Sequence, residues 1–163
     1  MTRSGSPGAR SGGGPEAAGL RVALLAARFN PEITDALTDG ARRALLAHGA
    51  GPEDIETIRV PGAWERPQAA AKAAAAGRFD AVVALGCVIR GETPHFEYVC
   101  MEATLGLGAV ARAASVPVAF GVLTTDDVAQ ARARAGEGPD NKGYEAAMAV
   151  LEMVSVYRML RAD

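Results

Sequence analysis

His95 stands at the end of the segment FDAVVALGCVIRGETPH, which begins at Phe79 and passes from an apolar run, Asp80 to Leu85, through a short polar stretch to Thr93 and Pro94. An imidazole titrates near neutral pH and can pass protons in either direction there. Thr93 followed by Pro94 reads as a helix start, because threonine can cap orphan amides and proline at the first helical position has no amide to leave unpaired. A first helical turn at the carboxyl end of a buried strand is where open α/β sheets bind ligands, and its free amides can hold an anion. The same residues also read as a plain helix-capping loop, and this segment alone does not decide between the two. Phe29 and Trp64 offer aromatic faces for a flat heterocycle, and Glu65 offers a carboxylate to accept from its donors. Both aromatics also suit an ordinary rim or interface. Arg134 and Lys142 flank the turn GEGPDNKG, where they either grip a phosphate or stay solvated.

The elements that must position these groups follow from the hydrophobic pattern. Leu20 to Ala27, Ile55 to Val60, Asp80 to Leu85 and Val116 to Leu123 are apolar runs of strand length. Between them lie stretches of helical spacing. Ile33, Ala36, Leu37, Ala41, Ala44 and Leu45 follow Asn30 as N-cap and Pro31 at N1, and ERPQAAAKAAAA from Glu65 is a helix of small residues stopped by Gly77. A third helix leads from Thr93 to about Ser115. Thr124, Thr125 and Asp126 start a short helix to Ala135, and a last one from Tyr144 to about Leu160 carries Ala147, Val150, Leu151, Val154 and Tyr157 on one stripe. Strands alternating with helices predict a four-stranded parallel sheet covered on both faces, a flavodoxin-like three-layer α/β/α sandwich. The four strand ends then share one rim, which collects Phe29, Ala63, Trp64, Glu65, Cys87, Val88 and Ile89. Glu92, Thr93 and His95 join it, with Arg28, Asn30, Gly91, Thr124 and Thr125.

Composition limits what such a protein can do. Its 163 residues are expected to form a single domain over 20–163, preceded by a flexible glycine- and serine-rich tail over 1–19 with no apolar signal core. Aromatics make up only 5% of the chain against 49% hydrophobic residues, so alanine, valine and leucine must build the core. A net charge of -2 argues against nucleic acid and anionic membranes as partners, and no run is long enough to span a bilayer. Cys87 and Cys100 form no CxxC pair and have no companions for a zinc site; free thiols and a cytoplasmic location are expected, with no metal.

Two other chemistries are disfavoured. Gly106-Leu-Gly108-Ala-Val-Ala111 matches the dinucleotide fingerprint in letters, but it follows helical residues and not a strand, so close helix packing explains it better. Cys87 and His95 could form a nucleophile pair, yet a cysteine at an apolar strand end favours the neutral thiol.

Taken together, RFN at Arg28, PGAWE at Pro61, GCVIRGETPHFEYV at Gly86, FGVLTT at Phe120, RAG at Arg134 and NKG at Asn141 resemble the lumazine synthase family, in that order and over Arg21 to Leu160. The resemblance implies condensation of 5-amino-6-(D-ribitylamino)uracil with 3,4-dihydroxy-2-butanone 4-phosphate to 6,7-dimethyl-8-ribityllumazine, phosphate and water, the penultimate step of riboflavin biosynthesis. No cofactor is implied. By the same resemblance Phe29 stacks on the pyrimidine, and Ala63, Trp64 and Glu65 line the ring and ribityl pocket, with Glu65 taking ribityl hydroxyls. Cys87, Val88 and Ile89 lie beside the uracil edge, Glu92 and Thr93 present amides and a hydroxyl to the phosphate, and His95 is the proton shuttle. Phe120, Arg134 and Lys142 match positions that family pockets borrow from an adjacent subunit, with Arg134 on the phosphate.

Family members are pentamers, and many close into icosahedral 60-mers that can enclose riboflavin synthase; the short loop from Gly136 to Gly143 resembles that of the shell-forming type. Departures are modest: Phe29 stands where many relatives have tryptophan, Trp64 replaces a common phenylalanine, and Ala133 a glutamate. Two alternatives accompany this reading, a non-catalytic flavin-binding shell protein and a riboflavin synthase of the archaeal type.

Overall fold

The structure, a computed structural model, describes residues 13–161. Four strands alternate with helices: β1 (Val22–Ala27), α1 (Pro31–Ala47), β2 (Ile55–Val60), α2 (Arg66–Ala75), β3 (Ala81–Ile89), α3 (His95–Ala113), β4 (Val118–Thr125), α4 (Val128–Ala133) and α5 (Lys142–Arg161). A 3-10 turn at Pro52–Asp54, not expected from the pattern, precedes β2. The sheet is wholly parallel in the order β2-β1-β3-β4. This is the three-layer α/β arrangement predicted from the alternation.

Period-two alternation in β1 and β3 distributes their side chains between two cores. Val22 and Leu24 of β1, with Val83, Leu85 and Cys87 of β3, pack beneath α1 and α5. Ala23, Leu25, Val82 and Ala84 pack beneath α2 and α3. Burying each leucine or valine contributes about 1.5–3 kcal/mol, so the two-sided central strands carry much of the fold's driving force. Of the expected tail, residues 1–12 lie outside the described residues, while Ala17 is buried and its amide donates to the His48 carbonyl at 2.8 Å.

Several boundaries differ from the sequence expectation, each for an identifiable reason. Strand β3 does not end at Leu85 but runs on to Ile89, because β4 continues to pair with it through Gly86↔Val122, Cys87↔Leu123, Val88↔Thr124 and Ile89↔Thr125. Thr124 and Thr125 are accordingly strand residues, and Asp127 caps α4 by accepting from the Gln130 amide at 2.8 Å. Asn30 does not cap α1 with its side chain. It takes a left-handed conformation, φ 50°, and its side-chain amide donates to the Cys87 carbonyl at 2.9 Å; asparagine tolerates that conformation better than most residues. Thr93 likewise makes no capping bond, and α3 opens after Pro94.

Helices α1 and α5 meet through glycine. A Cβ on Gly143 would overlap the carbonyl oxygen of Leu37, and one on Gly40 would overlap the Asn141 amide. Asn141 is almost completely buried and uses its whole side chain: Nδ2 donates to Ala36 O and Gly136 O, while Oδ1 accepts from the amides of Gly143 and Tyr144. The GEGPDNKG turn is thereby pinned to α1. The dinucleotide look-alike is the middle of α3, where a Cβ on Gly106 would come within 2.8 Å of Pro67 Cγ, so this glycine serves helix contact. Among the described residues, no helix is long and apolar enough to cross a membrane.

Because the Gly143 collision is with backbone and not with a flexible tip, Gly143→Ala is expected to destabilise the protein by about 3 kcal/mol, read as a lower midpoint in urea unfolding. An unchanged midpoint would contradict the α1–α5 packing described.

Candidate active site

The carboxyl ends of β1, β2 and β3 form a rim on which ten of the chemically interesting residues sit. Crossing the rim, the Arg28 amide donates to Val60 O at 2.9 Å, and Asn30 reaches across to Cys87 O, so the β1 turn is tied to both neighbouring strands. Gly62 brings the first two groups together. A Cβ there would stand 3.2 Å from Phe29 Cδ2 and 3.3 Å from Glu65 Oε2, which places the phenyl ring and the carboxylate side by side over the glycine. Ala63 is nearly buried beneath them. Phe29 is 69% exposed and Trp64 55%, a large amount of aromatic surface for one edge of a small chain.

On β3, Val88 and Ile89 are half-buried at the strand end. The Cys87 thiol differs from its neighbours: it packs into the core under α1 and α5, so at the rim this residue offers only its backbone. Burial pushes the thiol above its ordinary range, outweighing a hydrogen bond to Thr125 and the nearby Arg66 charge. That environment suits an inert thiol and not a nucleophile paired with His95. Beyond the strand, Glu92, Thr93 and His95 are exposed.

Arg90 braces this exposed loop. Its backbone amide donates to Thr125 O at 2.8 Å, its Nε to Asp126 Oδ1 at 2.8 Å and its Nη1 to Glu97 Oε1 at 3.4 Å, while the guanidinium lies 4.5 Å from the centroid of Phe96. One side chain therefore joins β3 to the start of α4 and to the first turn of α3. The hydrogen bond to Arg90 holds the Asp126 carboxyl below the usual carboxylate range. All three charged groups are open to solvent, so the brace acts mainly by geometry.

A second group lies elsewhere. Phe120, Arg134 and Lys142 line an open cavity of about 430 Å³ beside β4, together with Thr124 and Glu145. Phe29, Trp64, Glu65 and His95 do not line it. Lys142 Nζ is held by Glu145 at 2.8 and 3.0 Å. Arg134 Nη1 donates to Gln130 O at 2.9 Å and, among the described residues, has no carboxylate partner. Among the described residues there is also no group of three or more histidine, cysteine, aspartate or glutamate side chains placed to hold a metal ion. The cavity therefore presents a cation to solvent, with an aromatic ring beside it, at a distance from the imidazole.

Three features near these sites escape a reading of the sequence. The Arg90–Asp126 pair joins residues 36 apart and the Asn30–Cys87 bond residues 57 apart, and no local spacing signals either. Arg66 is the third. It falls in a helix recognisable as small and alanine-rich, and its side chain is fully buried, with Nε, Nη1 and Nη2 lacking hydrogen-bond partners.

With this geometry in place, the chain can be compared with known proteins. Residues 19–158 match the family model described as 6,7-dimethyl-8-ribityllumazine synthase. A protein of that name from Chlorobium phaeobacteroides is 51% identical over 146 residues, covering 90% of this chain and 94% of the relative. Another from Desulfatibacillum aliphaticivorans is 50% identical over 140 residues, covering 86% and 90% respectively. The match takes in both the β1–β3 rim and the β4 cavity, and on that extent and identity the chain belongs to the 6,7-dimethyl-8-ribityllumazine synthase family.

Proposed function

We propose that this chain condenses 5-amino-6-(D-ribitylamino)uracil with 3,4-dihydroxy-2-butanone 4-phosphate, giving 6,7-dimethyl-8-ribityllumazine, phosphate and water in riboflavin biosynthesis. The observation that carries the proposal is family membership over nearly the whole chain, with half of the residues identical to relatives bearing that enzyme's name. Neither a flavin-binding protein without turnover nor a riboflavin synthase of the archaeal type is favoured by these relatives.

The reaction needs positioning and proton transfer more than a protein nucleophile. The 5-amino group of the uracil attacks the ketone of the second substrate, and loss of water gives an imine. A proton then leaves carbon as phosphate departs, and the ribityl-bearing nitrogen closes the ring with loss of a second water. Each step moves a proton, and an exposed imidazole at the first turn of α3 is suited to receive and return it. In this proposal His95 is that shuttle, Glu92 and Thr93 offer backbone amides and a hydroxyl to the phosphate, and Arg134 is its counter-charge. Phe29 stacks on the pyrimidine; Ala63, Trp64, Val88, Ile89 and the backbone at Cys87 border it; and Glu65 accepts from the ribityl hydroxyls. Holding the two reactants together accounts for several further kcal/mol of barrier, on the order of what intramolecular reactions gain.

Phe120, Arg134 and Lys142 belong to this site when a neighbouring subunit supplies them. Two facts support that part of the reading: Arg134 and His95 do not share a cavity within one chain, and the surface is apolar where a neighbour would dock. Tyr98, Met101 and Leu105 form an exposed stripe along α3 at three- and four-residue spacing, and Phe120 is also exposed. A pentamer, closing further into a 60-mer shell able to enclose riboflavin synthase, is the assembly proposed.

Three measurements bear on this function. Mixing the protein with both substrates is expected to produce the absorbance of the lumazine, and His95→Ala is expected to slow its appearance about a hundred- to ten-thousand-fold without abolishing it; no product from the unaltered chain would refute the assignment. Arg134→Ala is expected to raise the KM for the phosphorylated substrate. Co-expressed with His95→Ala, it should recover activity in about one site in four, because randomly mixed neighbours rebuild intact sites. No recovery would place Arg134 and His95 in the same subunit's site. Light scattering should give the mass of a 60-mer, and a mass of one pentamer or less at micromolar protein would overturn the shell.

A further inference from the structure

The first two turns of α3 carry the imidazole of the proposed reaction, yet the core does not grip them. No residue from Gly91 to Glu102 is buried, and the first core side chain of the helix is Ala103. A Cβ on Gly91 would meet nothing within 4 Å, so the loop before the helix stands clear of the body. The helix also opens without a side-chain cap. Its first amides therefore stay free, as an anion-binding helix start requires, and whatever holds this end must do so without occupying them.

Arg90 reaches that end from the side. Its guanidinium faces the Phe96 ring at 4.5 Å from the centroid, and Nη1 donates to Glu97 Oε1 at 3.4 Å. These two residues follow His95 within one helical turn, so fixing them fixes the backbone from which the imidazole projects. On its other edge the guanidinium is clamped, with Nε donating to Asp126 Oδ1 at 2.8 Å. Asp126 is a firm anchor: it follows the buried Thr125, its amide donates to Gln130 Oε1 at 2.9 Å, and Asp127 beside it caps α4. A planar fork can serve two carboxylates along its edges and a ring on its face at once, which an ammonium cannot. With all three charged side chains about half exposed or more, the contacts add little stability and chiefly restrict direction.

We infer that Arg90 is a positioning residue: clamped on Asp126, its guanidinium sets the place of Phe96 and Glu97, and through them of His95 and the open amides where the phosphorylated substrate reacts. The inference rests on the reading of His95 as the proton shuttle. The role belongs to one half of the site. Arg134, at the far end of α4, is held separately, its Nη1 donating to Gln130 O at 2.9 Å, and serves the neighbouring subunit's pocket in that reading. Loss of Arg90 therefore disturbs the pocket that contains its own His95 and leaves Arg134 in place.

Steady-state kinetics and unfolding midpoints on Arg90→Ala, Arg90→Lys and Asp126→Ala test the idea. Arg90→Ala is expected to lower kcat/KM for the butanone phosphate roughly a hundredfold, the cost of displacing a reacting group by about 1 Å. The KM for ribitylaminouracil, whose pocket is read on the turns after β1 and β2, should stay within about twofold. Lysine keeps the charge without the fork and should remain about tenfold below the unaltered protein. Asp126→Ala should show part of the loss and add nothing to Arg90→Ala, because both remove one contact. Midpoints should not move, as exposed ion pairs imply. Co-expression assigns the half-site: Arg90→Ala with Arg134→Ala should recover activity in about one site in four, and Arg90→Ala with His95→Ala none, since both defects then fall in the same half. An unmoved kcat/KM, equal rises in both KM values, full rescue by lysine, midpoints that fall in step with activity, or recovery with His95→Ala would each overturn the role. If His95→Ala and Arg134→Ala do not recover together, the site is not shared between subunits and the kinetics alone decide. If the unaltered protein makes no lumazine, or His95→Ala is as fast as it, the reading of the reaction fails; if His95→Ala is slow and Arg90→Ala is not, only the role of Arg90 fails.

Discussion

The length of β3 governs where the chemistry can sit. Hydrogen-bonded to β1 on one side and to β4 on the other, it is carried by its pairing with β4 to Ile89, so the loop bearing Glu92, Thr93 and His95 leaves the sheet beyond the end of β1. A strand that stopped at Leu85 would have put those residues several ångströms lower, since each strand residue advances about 3.3 Å. The extension also brings the Cys87 carbonyl within reach of Asn30, and the Arg90 side chain within reach of Asp126 and Glu97. Two turns and two helix starts are thus fixed by continued pairing along one ladder.

Around that strand the protein uses side chains chiefly as ties between elements distant in sequence. Asn141 holds the turn before α5 on α1, Arg132 bridges to Glu32 at 2.8 Å, and Arg90 spans three elements. Most of these ion pairs are half or more exposed, and each adds little stability by itself. Their contribution is to orient loops whose backbones the sheet leaves free. The apolar cores beneath α1 and α5, and beneath α2 and α3, supply the stability against which such orientation works.

The layers, the parallel sheet and the residues of the rim were legible because they depend on local signals: apolar runs of strand length, helical spacing, and motifs held in order. The places where local signals pointed elsewhere have a common cause. Gly86 reads as a strand end, but its missing side chain accommodates Arg66 while the ladder goes on. Asn30 reads as a cap, but its amide has a better partner on a strand 57 residues away. Thr124 and Thr125 read as a helix start until their pairing with Val88 and Ile89 is known. In each case a contact between segments overrides a preference written within one. The separation of Arg134 from His95, only one of which lines the cavity beside β4, has the same character, since spacing along the chain does not reveal it.

The fit of Arg66 against Gly86 also constrains how this sequence can change over generations. Any side chain at position 86 collides with the guanidinium, whereas a shorter residue at position 66 would first open the space such a side chain needs. The two sites are therefore epistatic: a side chain at position 86 fits only if the tip of Arg66 shifts or position 66 shrinks first, so the cost of a change at one depends on the residue at the other.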